Sequence, residues 1–413
     1  MRLLFLNPNG SIGGAERSLL EMLGALRRAQ PELTIGLLVT DEGPLVEQAR
    51  ALGIEATPLP LAARLAGIGD WNAGPSEVLG KLLKLVGALP ALLAYRPRLQ
   101  EAIGKWQPDL VHANGFKAHL LAAIATPVQV PLIWHLHDYP GRRRLMARLL
   151  KLWGARCSLL IANSRSVARD AGRVLGPRVK SVVVHNGVDL NRFSPCGPVL
   201  DLDNLAGLPP GNDVRIGLIA TLARWKGHEV FLRALAALPN SLAVRGYVIG
   251  GPIYHTTGSQ TDLARLRALA AQLGLQGRVG FTGHVDDPAA ALRALDIVVH
   301  ASTDPEPFGM AIAEAMACGR ALVVSAAGGA AEIISAGHDA LIHRPGDAAG
   351  LATQLERLAR DGALRQMLAQ TSRASALRRF DSRRMAREMI QHYRELAGLP
   401  PATIADSAIR GTL

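Results

Sequence analysis

A chain of 413 residues, 49% hydrophobic and 19% charged, is too long for one ordinary core and too apolar for disorder, so two domains of roughly 200 residues are expected. Three dispersed cysteines, Cys157, Cys196 and Cys318, exclude a disulfide framework, suit no metal site and fit a reducing cytoplasm. The net charge of +12 rests on 46 basic residues, only seven of them lysine, and arginine-biased codon usage explains it as readily as a nucleic-acid surface does. With 4% aromatics a base-stacking platform is poorly supplied, and no nucleic acid is expected as a partner.

The opening MRLLFLNPNG is too short an apolar run for a signal peptide, because Asn7 and Pro8 end it. The longest apolar stretches, residues 82–95 and 120–134, contain prolines and fall short of the roughly 18 to 20 uninterrupted residues of a membrane span. A cytoplasmic location is therefore expected. Basic residues gather at Arg142, Arg143, Arg144, Arg148 and Lys151, and again over residues 373–387. The first group would attract a polyphosphate donor or an anionic membrane surface, making the inner face of the plasma membrane a candidate peripheral site.

Short apolar runs alternate with helix-like segments from end to end. RLLFLN, TIGLLVT, DLVHA, LIWHLH, LLIANS and SVVVHNG read as strands, and the rhythm restarts with RIGLIA, AVRGYVIGG, RVGFTG, LDIVVHAS, RALVVSA and ALIHR. Strands that are apolar throughout are buried on both faces, which marks parallel sheets with helices on each side. The fold class is α/β, with two Rossmann-like doubly wound parallel-sheet domains facing across a cleft. The Pro-, Gly-, Asn- and Asp-rich stretch 186–213 holds the boundary, giving domains 1–187 and 188–379. A crossover helix over 380–398 is expected to return to the first domain, ahead of a flexible tail at 399–413. Its core reads as Ser382–Leu396.

Ligands of such sheets bind beyond the carboxyl ends of the strands, so the residues just after each strand are the candidates. Gly13 and Gly14 follow the first strand and open a helix, permitting close backbone approach to an anion at the helix N-terminus. The spacing is not G-x-G-x-x-G, and Asp41, placed as a ribose-binding acid would be, sits in an ordinary Asp-Glu-Gly-Pro turn. His112, His135 and His137 gather near one sheet edge. A metal site is one reading; buried, hydrogen-bonded histidines at 112 and 135 is the other, with His137 facing the cleft. Asp201 and Asp203 form a D-x-D in the linker, which argues against a metal role.

In the second half, Thr221, Arg224 and Lys226 lie between the first strand and its helix, where two cations beside a helix N-terminus make a diphosphate site. Gly250 ends the next strand and joins the donor-binding set. The sharpest signal is residues 295–329. A buried strand delivers Ser302 and Thr303, then Glu306-Pro307-Phe308-Gly309 precedes a helix expected over Met310–Ala317, with Glu314 in its second turn. Paired carboxylates eight residues apart suit vicinal hydroxyls, and backbone N–H groups at Phe308, Gly309 and Met310 suit phosphate or sugar oxygens.

The segment EPFGMAIAEAMACG closely resembles the donor-site signature of the family 4 retaining glycosyltransferases, which have the GT-B fold. GGAER at Gly13, NSRSV at Asn163, HNGVDLNRFSP at His185, WKGHEVFLRA at Trp225, FTGHV at Phe281 and AGGAAEII at Ala327 follow in family order. The resemblance implies that Glu314 binds the nucleotide ribose and Glu306 the hydroxyls of the transferred sugar. It implies Lys226 and Arg224 for the diphosphate, Gly14 for donor or acceptor, and His137 beside the reacting sugar. One departure stands out: the family usually has arginine five residues before the lysine, where this chain has Thr221, leaving Arg224 as the substitute.

The implied activity is retaining transfer from a UDP- or GDP-sugar to a sugar, glycolipid or other hydroxyl acceptor in cell-envelope synthesis. With no carboxylate placed as a nucleophile, a front-face mechanism assisted by the leaving phosphate is expected, with no cofactor and no required metal. Residues 62–105 are the least legible part of the acceptor side, and the basic, apolar runs LGKLLKLVGALPALLAYRPRL and RRRLMARLLKLWGAR read either as a membrane-surface face or as packed helices. Two alternatives remain open: a non-hydrolysing sugar-nucleotide epimerase of the same fold, and a non-catalytic basic surface-binding protein.

Overall fold

The computed structural model describes residues 1–62, 78–251 and 261–401. The chain forms two compact units, one from Met1–Gly187 together with the segment beginning at Ser382, the other Val188–Asp381. Residues 63–77, within the poorly legible acceptor-side stretch, and 402–413 of the expected tail lie outside the described residues.

In the first unit, seven parallel strands run in the order β3-β2-β1-β4-β5-β6-β7. They are β1 (Arg2–Asn7), β2 (Thr34–Val39), β3 (Glu55–Pro58), β4 (Leu110–Asn114), β5 (Leu132–Leu136), β6 (Leu159–Ala162) and β7 (Ser181–Val183). Both faces are buried: Leu3 and Phe5 of β1 point into one core layer, Leu4 and Leu6 into the other. The strand at Glu55–Pro58 was absent from the sequence reading. EATP is a short edge strand with only Ala56 buried, so it lacks the continuous apolar run that marks its neighbours.

The strand order reverses between β1 and β4, which opens a switch point beyond their carboxyl ends. Helix α1 (Gly14–Ala29) starts there, and α2 (Pro44–Ala51), α3 (Val78–Trp106), α4 (Phe116–Ala125), α5 (Arg144–Trp153) and α6 (Arg165–Leu175) cover the sheet. The second unit repeats the plan in the order β10-β9-β8-β11-β12-β13. Its strands are β8 (Val214–Ile219), β9 (Val244–Ile249), β10 (Val279–Gly283), β11 (Ile297–His300), β12 (Ala321–Ser325) and β13 (Leu341–His343), with the reversal between β8 and β11.

The Pro- and Gly-rich stretch after Val188 is not a free linker. Leu190, Phe193 and Leu202 are buried in the second unit's core, and α7 (Leu202–Ala206) packs beside β10. Asp203 there is consumed by Arg215 at 2.8 Å, Arg245 at 2.7 Å and the Tyr247 hydroxyl at 2.5 Å, which explains the acidic triplet without a metal. Helices α8 (His228–Ala236), α9 (Leu263–Gln272), α10 (Pro288–Arg293), α11 (Met310–Ala317), α12 (Ala348–Arg360) and α13 (Gly362–Arg379) complete this unit.

The last helix, α14 (Ser382–Leu396), buries Met385, Ala386, Met389, Ile390 and Tyr393 against Leu19 and Leu23 of α1, in the core of the first unit. Gly187 makes that crossing sterically feasible, because a Cβ there would press into the Ser382 backbone. The arginines counted as a basic cluster at 373–387 are in part internal ligands. Arg373 donates to the carbonyls of Ala317 (2.6 Å) and Phe193 (3.1 Å), Arg379 to those of Glu332 and Ile333, and Arg384 to that of His185. They cap backbone carbonyls rather than form a free surface.

Candidate donor site

Two clusters form, one at each switch point. In the second unit the chain leaves β8 through Thr221 and winds into a 3₁₀ turn at Arg224–Lys226. Gly227 caps α8 at φ +74°, and a Cβ there would collide with the Ala301 carbonyl, so only glycine lets this turn lie against the end of β11. Gly250, at the end of β9, is likewise pressed onto the Ala220 carbonyl with φ +138°. The Lys226 ammonium sits 3.9 Å from the centre of the Trp225 ring.

Glu306 is brought to the same place by the loop after β11. Its N–H donates to the Ala327 carbonyl at 3.2 Å, and its own carbonyl accepts from Gly329 N–H at 2.6 Å, so the backbone is pinned to the loop after β12. Gly309, left-handed at φ +102°, then caps α11 with no side-chain hydrogen bond to its first turn. The Glu306 side chain is buried. Lys226 Nζ lies 3.0 and 2.9 Å from its two oxygens, Ser302 Oγ donates to Oε2 at 2.9 Å, and His300 Nε2 lies 3.2 Å from that oxygen. Burial by itself would raise its pKa; the Lys226 ammonium, with His300, reverses this and holds the carboxyl well below the usual carboxylate range. Glu314 lies half-buried in the second turn of α11. The chemistry available is a fixed cation, a fixed anion and a helix N-terminus within one switch point.

In the first unit, Gly13 caps α1 and donates its N–H to Glu16 Oε2 at 3.0 Å. A Cβ on Gly14 would meet nothing within 4 Å. From there a hydrogen-bond chain crosses the sheet end: Asn114 Nδ2 donates to Asn7 Oδ1 (2.7 Å), Asn7 Nδ2 to the Asn9 carbonyl (2.7 Å), and His137 Nε2–H to Asn114 Oδ1 (2.6 Å). The direction of donation fixes His137 as the Nε2–H tautomer. Burial lowers its pKa to about 4, so it is neutral at pH 7. The Asp41 carboxylate accepts from Gly10 N–H, holding the loop after β1.

His112 and His135 are buried with His112 Nε2 3.2 Å from His135 Nδ1, while Tyr393 OH lies 3.0 Å from His112 Nδ1. Those ring nitrogens are occupied by one another and by the returning helix. Among the described residues no group of three or more His, Cys, Asp or Glu side chains is arranged to hold a metal ion.

Sequence reasoning missed Asn7, Asn114 and His300, and passed over Ser302 as a partner of Glu306. Each sits at or just past the last position of an otherwise apolar strand, and a polar residue ending such a strand at a switch point was the available signal.

Residues 12–192 match the description Glycosyltransferase Family 4 and residues 206–375 match Glycosyl transferases group 1. A D-inositol 3-phosphate glycosyltransferase of Xylanimonas cellulosilytica is 29% identical over 95% of this chain and 94% of its own length. D-inositol 3-phosphate glycosyltransferase 2 of Catenulispora acidiphila is 35% identical over 73% of this chain and 76% of its own. Among solved structures, Anabaena Alr3699/HepE in complex with UDP-glucose has a TM-score of 0.78 and 26% identity, covering 96% of this chain and 100% of that one. The chain belongs to glycosyltransferase family 4 and is a glycosyltransferase built from two Rossmann-like α/β units.

Proposed function

We propose that this glycosyltransferase moves a sugar from a nucleoside-diphosphate donor to an acceptor hydroxyl with retention of anomeric configuration. The observation that carries the reading is the Lys226–Glu306 pair, buried at the second sheet's switch point beside the N-terminus of α11. In this reading Lys226 and Arg224 take the diphosphate, Glu306 the hydroxyls of the transferred sugar and Glu314 the ribose. Thr221, Gly250 and the backbone of Phe308, Gly309 and Met310 line the donor.

As the bond to the anomeric carbon breaks, negative charge gathers on the diphosphate, and Lys226 and Arg224, drawn to the donor when it binds, stabilise that charge. The acceptor oxygen attacks from the face the diphosphate leaves, and its proton passes to the departing phosphate oxygen. Gly13 and Gly14 leave room for close backbone approach, and neutral His137 offers a hydrogen bond to a sugar hydroxyl. A UDP-sugar is the favoured donor, supported by the UDP-glucose bound to the Anabaena protein.

The acceptor belongs to cell-envelope or glycolipid synthesis, and the protein works in the cytoplasm against an anionic membrane. Supporting this, α5 buries Met146 and Leu150 while leaving Arg144, Arg148 and Lys151 exposed beside Leu152, which is 74% exposed. No helix among the described residues is long and apolar enough to cross a membrane. Screening UDP- and GDP-sugars for thermal stabilisation tests the donor assignment. One nucleotide sugar should raise the melting temperature of the wild type and not of Lys226→Ala. Equal shifts for both proteins would refute it.

A further inference from the structure

We infer that His300 and Ser302 are positioning residues for Glu306, a two-donor clamp that keeps its carboxylate in place when Lys226 turns to the donor diphosphate. The inference rests on the reading that Glu306 binds the transferred sugar.

The Glu306 carboxylate has partners of two kinds. Lys226 reaches it from the 3₁₀ turn after β8, on a flexible stem whose ammonium also lies over Trp225. One ammonium cannot serve a carboxylate and a diphosphate equally, so donor binding draws charge away from Glu306. The other partners cannot leave. His300 is the last residue of β11, paired with Val324 of β12, and its carbonyl accepts from His343 Nε2 at 3.3 Å. Ser302 is 1% exposed, and its carbonyl accepts from Ser325 Oγ at 2.5 Å.

Both give their donors to the same oxygen, Glu306 Oε2, with Ser302 Oγ also 3.1 Å from His300 Nε2. A carboxylate only accepts, so His300 carries its hydrogen on Nε2; its Nδ1 is buried without a partner. Its one ring donor is directed at the carboxylate, on the same oxygen that Ser302 Oγ serves.

The test compares a nucleoside diphosphate with its sugar conjugate, using UDP and UDP-glucose or GDP and GDP-glucose, whichever pair stabilises the wild type. His300→Leu keeps the buried volume and removes the donor; His300→Gln keeps an N–H. His300→Leu should bind the nucleoside diphosphate as the wild type does but lose affinity for the sugar conjugate by about tenfold or more, while His300→Gln recovers most of it. Ser302→Ala, a smaller change, should move in the same direction and serves if His300→Leu does not fold. Equal weakening of both ligands would make the role structural and overturn the inference. If Glu306→Gln loses the preference for the sugar conjugate and His300→Leu and Ser302→Ala do not, only the clamp fails. If Glu306→Gln keeps that preference, or neither pair binds, the Glu306 assignment fails and the clamp with it.

Discussion

At Glu306 a carboxylate surrenders most of its water and depends on Lys226, His300 and Ser302 instead. Removing Lys226 leaves that charge buried and uncompensated. Lys226→Met should therefore destabilise the protein by ~3 kcal/mol, the low end for a broken buried pair because the lysine keeps some solvent contact. It should also lower turnover by about 10²-fold or more. Urea melts and kcat measure the two effects separately.

The sign of the pH response follows from the depressed Glu306 pKa. Its contribution is present above the ordinary value of 4.5 and lost as pH falls towards the folded value. The stability gap between wild type and Glu306→Gln should shrink below about pH 4.5. A constant gap down to pH 3 would contradict the ion-pair account. The segment 306–319 was readable in sequence because glycine, proline and two glutamates at fixed spacing are rare together. The position of His300 was readable as a polar strand end, but its role was not, since a lone histidine there looks the same whether it caps, packs or points at a carboxylate.

Among the elements, α1 and the turn before α8 give opposite expectations for the same substitution. Gly227→Ala puts a methyl into the Ala301 carbonyl at a left-handed φ, and should cost more than ~1–2 kcal/mol while displacing Lys226. Gly14→Ala meets open space at the first position of a helix, so its stability should stay within about 0.5 kcal/mol of wild type. On the proposed reading that Gly14 lies against the substrate, transfer activity should fall all the same. Parallel melting and activity assays decide; a stable, fully active Gly14→Ala would remove Gly14 from the site. The buried strands were legible because β-strands covered on both faces are apolar throughout. The edge strand β3 was hidden by its single buried side chain, and α7 by the turn-forming residues around it.

Across the whole molecule, four histidines of the first unit, His112, His119, His135 and His137, are held neutral by burial. An unfolded chain would protonate them near the ordinary 6.5, so it binds more protons than the folded chain between that value and about 4. Stability should fall as pH drops through this window, before Glu306 titrates. A urea midpoint that stays flat from pH 6.5 to 4.5 would contradict it.

The two-unit plan was legible from the restart of the strand rhythm. The Pro-rich stretch read as holding the boundary at 187/188 folds onto the second unit's core, through Leu190, Phe193 and Leu202, which its turn-forming composition did not reveal. The arginine excess was the least legible global feature. Composition cannot separate a guanidinium that binds carbonyls, as at Arg373, from one on the exposed stripe of α5.

The most direct measurement supplies the donor selected by thermal stabilisation, labelled in its sugar, with and without a hydroxyl acceptor, and follows the anomeric carbon by NMR. The account predicts acceptor-dependent release of nucleoside diphosphate and a glycoside of the donor's own anomeric configuration, both lost in Lys226→Met. An epimerised nucleotide sugar formed without acceptor, or a product of inverted configuration, would contradict it.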